Sequence, residues 1–78
     1  MNEGTIGEVR LFAGDYAPAN WAFCDGQLMA ISQNEALFSI LGTRYGGDGL
    51  NSFSLPKLES VGEVKYIICL EGNYPRRN

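Results

Sequence analysis

No histidine occurs in this sequence, and its absence takes the usual base away from any Ser/His/Asp or Cys/His nucleophile. The nine acidic residues are scattered, and no pair is spaced so as to set two carboxylates across a cleft; they read as solvated surface charges. Two cysteines without a histidine fall short of the four ligands of the usual zinc site within one chain. Cys24 and Cys69 both lie in apolar, strand-like runs, and two reduced, buried thiols are expected. A disulfide would require neighbouring strands with Cα atoms within about 7 Å, and the sequence leaves that condition open. The loop Gly46-Gly47-Asp48-Gly49 lacks the Lys-Ser/Thr of a phosphate cradle and occurs once. Asp15 and Asp25-Gly26 lack the ligand spacing of a calcium loop. The expected chemistry is therefore none: no catalytic residue, no metal and no cofactor.

The elements that carry these residues can be read from local signals. Asp25-Gly26 follows the apolar run Trp21, Ala22, Phe23, Cys24 and suits a two-residue type I′ hairpin turn, with residues 27–31 returning as the second strand. Ser32-Gln33-Asn34-Glu35 has the form of a capping box. It predicts a helix over residues 33–41, with Ala36, Leu37, Ile40 and Leu41 as its apolar stripe, Phe38 on the flank and Gly42 ending it in a left-handed conformation. A helix this short does not persist alone in water, so it must pack, and the hairpin is the nearest surface. Thr43, Arg44, Tyr45 and the glycine cluster follow as a loop.

Residues 7–13 show the period-two pattern of a half-exposed strand, with Val9, Leu11 and Ala13 on one face and Glu8, Arg10 and Phe12 on the other. Residues 14–20 form a turn around Pro18, and residues 52–56 a short extended piece ended by Pro56. Residues 57–62 read as a polar link. Residues 63–71, EVKYIICLE, are the strongest strand signal, apolar on both faces through the middle. Such a strand is central in a sheet or sealed by a neighbouring subunit. Its pairing is expected to be with strand one, over Val9 to Phe12. Residues 1–4 read as a loose end, and residues 73–78 as a tail too short to be a domain.

An α+β fold follows, a small, mainly antiparallel sheet with one short helix, in a single domain spanning residues 1–78. The expected core is Trp21, Phe23, Leu37, Phe38, Leu41 and Ile68. Tyr45 and Tyr74, beside glycine or proline in loops, together with Gly46, Gly47, Asp48 and Gly49, are the candidate contact surface. A net charge of −3 without a basic cluster argues against nucleic acid. No segment approaches the roughly 20 apolar residues of a membrane span, and the amino terminus has no signal-peptide pattern. At 78 residues the chain is small enough for self-association to be expected. The doubly apolar closing strand adds to this, because each exposed Å² of apolar surface forfeits about 25 cal/mol.

The strings IGEVRLFAG, NWAFCDGQL, ISQNEALFSILGTRYGGDG, FSLP and KYIICLEGNYP, in that order from Ile6 to Pro75, resemble the phage tail collar domain family, which includes short tail fibre and microcystin-dependent proteins. The resemblance implies a structural module of a virion tail or tail-like particle, homotrimeric in fibres and joined to other tail or fibre proteins, with an open filament through a heterologous contact as the other form of self-assembly. Relatives continue after the LP motif into a long glycine-rich, histidine-containing segment, whereas here KYIIC begins at Lys65, soon after Pro56. The chain thus resembles a collar reduced to its core, without the distal segment or upstream shaft repeats, and a metal-stabilised tip cannot be carried over to it. Adhesion through the glycine-rich loop is the alternative role.

Overall fold

The computed structural model describes residues 4–76. The elements are β1 (Val9–Phe12), β2 (Trp21–Phe23), β3 (Leu28–Ala30), a 3-10 turn (Ile31–Gln33), α1 (Glu35–Leu41), β4 (Ser52–Ser54) and β5 (Lys65–Cys69). The fold is α+β, with two small antiparallel sheets and one helix, one sheet ordered β1-β5-β2 and the other β3-β4. β1 pairs with β5 in the register Val9↔Ile68 to Phe12↔Lys65, the partnership expected from their lengths and apolar faces. β2 lies on the other side of β5, with Trp21 opposite Cys69.

The central place of β5 decides what covers it. One face of its sheet carries Ile68, Ala22 and Tyr66 and packs on Leu37 and Leu41 of α1 and on Phe53 and Leu55. The opposite face has its own cluster, in which Trp21, Ile67 and Cys69 meet Phe12, Ala17 and Phe23. Arg10 stands 5.1 Å over the Trp21 ring and Lys65 5.3 Å over Phe23, so two cations close this second cluster against water. Ile67, Ile68 and Cys69 are 0% exposed. One chain therefore seals both faces of β5, and the expected deficit of cover does not exist. Of the expected core, Trp21, Leu37, Leu41 and Ile68 are buried, while Phe23 and Phe38 are half-buried. The rings of Phe38 and Phe53 lie 5.4 Å apart, tilted by 51°.

Two local expectations are corrected. Asp25-Gly26 is not a hairpin turn, since β3 pairs with β4, Leu28 opposite Ser54. β2 pairs with β5 alone, and just past its end the Leu58 N–H donates to the Cys24 carbonyl at 2.9 Å. Asp25 Oδ1 instead accepts from the Gln27 N–H at 3.1 Å, a side-chain turn that redirects the chain between sheets. The capping box is not formed either. Ser32 lies inside the 3-10 turn, the residue before α1 is Asn34, and no side chain caps the helix. Asn34 uses its side-chain amide to donate to the Ala30 carbonyl at 2.9 Å, which fastens the helix start to the end of β3. α1 ends at Gly42, whose N–H donates to the Phe38 carbonyl at 2.7 Å. Its φ of 58° suits glycine, but its ψ of −147° takes it out of the left-handed helical well.

The described ends are tied together rather than loose. Ile6 N–H donates to the Asn73 carbonyl at 2.8 Å and Asn73 N–H to the Gly4 carbonyl at 3.0 Å; residues 1–3 and 77–78 lie outside the described residues. The link before β5 closes in a tight reversal, with Val61 and Val64 exchanging both backbone hydrogen bonds.

Candidate contact surface

The loop that leaves α1 is built around one carboxylate. Asp48 Oδ1 accepts from the N–H groups of Leu50, Asn51 and Ser52 at 2.9, 2.9 and 3.0 Å. These amides hold its pKa down at about 2, because each stabilises the charged form. The glycines then let the loop lie on β4. Ser54 N–H donates to the Gly46 carbonyl and Gly49 N–H to the Ser52 carbonyl, both at 3.0 Å. A Cβ on Gly47 would fall 2.3 Å from the Phe53 Cα. Asp48 is thus committed to its own backbone through one oxygen, and the glycines to close approach. Tyr45 and Leu50, 45% and 82% exposed, are the side chains this loop offers outward.

Tyr74 is held by a different element. Its hydroxyl lies 2.5 Å from Ser39 Oγ on α1. Since Ser39 Oγ donates to the Ala36 carbonyl at 2.6 Å, the tyrosine supplies the proton between the two hydroxyls. The contact fixes the C-terminal strap on the helix and leaves the ring half exposed. The six residues singled out as a contact surface therefore belong to two anchored pieces, one laid on β4 and one on α1.

A groove that no sequence signal marked lies at the opposite end of β2. It encloses about 300 Å³ between Phe23, Asp25, Lys57, Leu58, Lys65 and Tyr66. It exists because Leu58 is tied to Cys24, and residues that far apart in the chain share no periodicity. The thiols offer no reactivity. Burial, then the nearby Asp25 charge, pushes Cys24 up to about 11, and burial raises Cys69, whose Sγ donates to the Glu71 carbonyl at 3.1 Å. The two free cysteines sit in separate clusters on opposite faces of the sheet. Among the described residues no group of three or more His, Cys, Asp or Glu stands together as a metal site, and no helix is long and apolar enough to cross a membrane.

Compared with known families, residues 7–61 of the 78-residue chain match the phage tail collar domain. The matched span takes in β1, β2, β3, α1 and β4 and stops in the reversal before β5. No curated protein matches the chain.

Proposed function

This chain belongs to the phage tail collar domain family, a structural domain of phage tails, and we propose that it is a non-catalytic assembly module, a collar or fibre subunit of a phage tail or tail-like particle. The observation that carries the reading is the match over residues 7–61, which takes in every element except β5. The titratable groups with clearly displaced pKa values are the two buried thiols, a loop-building carboxylate and the exposed Glu8–Arg10 pair, and burial or local hydrogen bonds account for each displacement. Val9, Leu11, Leu28, Leu50 and Val61 are each 40% exposed or more, apolar surface that contact with another chain would remove from water.

Self-association and contact with other tail or fibre proteins are the proposed activity, in the virion tail, with three copies as the number the family resemblance favours. β5 lends no support, since both its faces are covered within the chain. Multi-angle light scattering on the purified protein tests the reading. A mass of three chains at micromolar concentration supports it. A stable monomer overturns it and turns attention to Tyr45, Tyr74 and the loop of Gly46, Gly47, Asp48 and Gly49 as a receptor-contacting surface.

A further inference from the structure

The two edges of the β1-β5-β2 sheet are finished differently. At β2 two of the four groups that face away from β5 are occupied: the Trp21 N–H donates to the Pro18 carbonyl at 3.0 Å, and the Phe23 carbonyl accepts from the Gln27 side chain at 3.4 Å. At β1 they are bare. Cys69 N–H donates to the Glu8 carbonyl at 2.9 Å, and Val9 sits directly opposite Ile68. Antiparallel alternation then turns the N–H and C=O of Val9 and Leu11 away from β5. Among the described residues these groups find no backbone partner. The same two residues expose apolar side chains, Val9 by 40% and Leu11 by 50%. The strand contains no proline, and no loop or helix among the described residues pairs with its outer side. Natural sheets normally protect such an edge, because it is a template for another strand.

We infer that the free edge of β1 pairs antiparallel with β1 of a second copy of this chain, about a two-fold axis through Val9. The strand is complementary to itself in that register. Glu8 of each copy falls opposite Arg10 of the other, on the face away from α1, while the two Val9 side chains meet on the face that also carries Leu11. Arg10 already holds Glu8 Oε2 of its own chain through Nε at 2.7 Å; its two terminal nitrogens remain for Glu8 of the second copy, giving a four-membered charge cluster. Pairing about Leu11 would instead set Arg10 against Phe12, without opposite charges. Pairing about Arg10 would present the groups already bonded to β5. The result is one sheet of six strands in the order β2-β5-β1-β1-β5-β2. The contact deepens the assembly reading by naming a surface. Being two-fold, it pairs chains, or pairs trimers if three-fold contacts also form.

The test is the mass by light scattering across a concentration series, with circular dichroism to verify the fold, for the intact chain and for Val9→Pro, Glu8→Arg, Arg10→Glu and the double exchange. Proline at Val9 removes an outward N–H that β5 does not use, a position where edge strands accept it. Val9→Pro is expected to halve the mass of the assembly. Each single charge change places like charges opposite one another and raises the midpoint concentration of association on the order of ten-fold; the double exchange restores it to within about three-fold of the parent. A mass unaltered by Val9→Pro, or a double exchange no better than the single changes, overturns the edge contact. Halving to three chains supports both contacts. Halving to one chain supports the edge and overturns the trimer. An intact chain that is monomeric at every concentration overturns both. If Val9→Pro fails to fold, the charge exchange alone decides.

Discussion

Asp48 and Gly47 show how a glycine-rich run can be structural down to single atoms. Gly47→Ala is expected to destabilise well beyond about 1 kcal/mol, since its φ of 97° is strained for alanine and the new Cβ meets the Phe53 backbone. Gly42→Ala, with a positive φ but nothing within 4 Å, should cost only about 1 kcal/mol. Chemical denaturation of the two variants makes the comparison. The Asp48 pKa also sets a pH dependence. It is about 2 in the folded chain and roughly 3.9 when unfolded, so the carboxylate stabilises the fold fully above the unfolded value. That contribution fades as pH falls through 4 and is gone once the folded value near 2 is passed. Melting curves from pH 6 to pH 2 should fall more steeply for the parent than for Asp48→Asn. The comparison is needed because Glu8, bonded to Arg10 and the Thr5 N–H, is also held below the ordinary range. For the thiols, alkylation is expected only after denaturation, two groups per chain. Rapid labelling of the native protein would contradict the burial of Cys24 and Cys69.

Among the elements, α1 illustrates a motif that its surroundings override. Ser32 and Glu35 satisfy the capping-box pattern, but the turn after β3 pulls Ser32 into a 3-10 geometry and hands the start of the helix to Asn34. Ser32→Ala should accordingly leave the melting temperature nearly unchanged. Asn34→Ala, which removes the hydrogen bond to Ala30, should lower stability by about 1 kcal/mol. Equal effects of the two changes in urea titrations would mean that the cap does form in solution. Asp25-Gly26 follows the same logic. The residue pair suits reversal of the chain, yet whether a reversal makes a hairpin depends on which partner the returning strand meets, and β3 meets β4.

At the scale of the molecule, β5 is buried between two clusters and joins them into one core. Ile67 and Ile68 face opposite clusters, and each is fully buried. Ile67→Ala and Ile68→Ala should each cost about 2–5 kcal/mol, a large share of what a domain this small possesses. The cost should not vary with protein concentration. A loss at Ile67 that grows on dilution would show that its face is covered by another subunit.

The sequence by itself determined the α+β class, the strands flanking the central helix and the family, because these rest on periodicity and on residues in fixed order; the pairing of β1 with β5 was suggested by their matching lengths and apolar faces and decided by the structure. Alternation along residues 7–13 and 63–71 needs no knowledge of neighbours. Only the tertiary structure decided which strand β3 joins, which residue starts the helix, and what covers the second face of β5. It also decided which edge of the sheet keeps fewer backbone partners among the described residues. Each of these is a competition for the same hydrogen-bonding edge or the same apolar face by segments far apart in the chain. A local pattern states what a segment can accept, and the three-dimensional arrangement determines which partner reaches it.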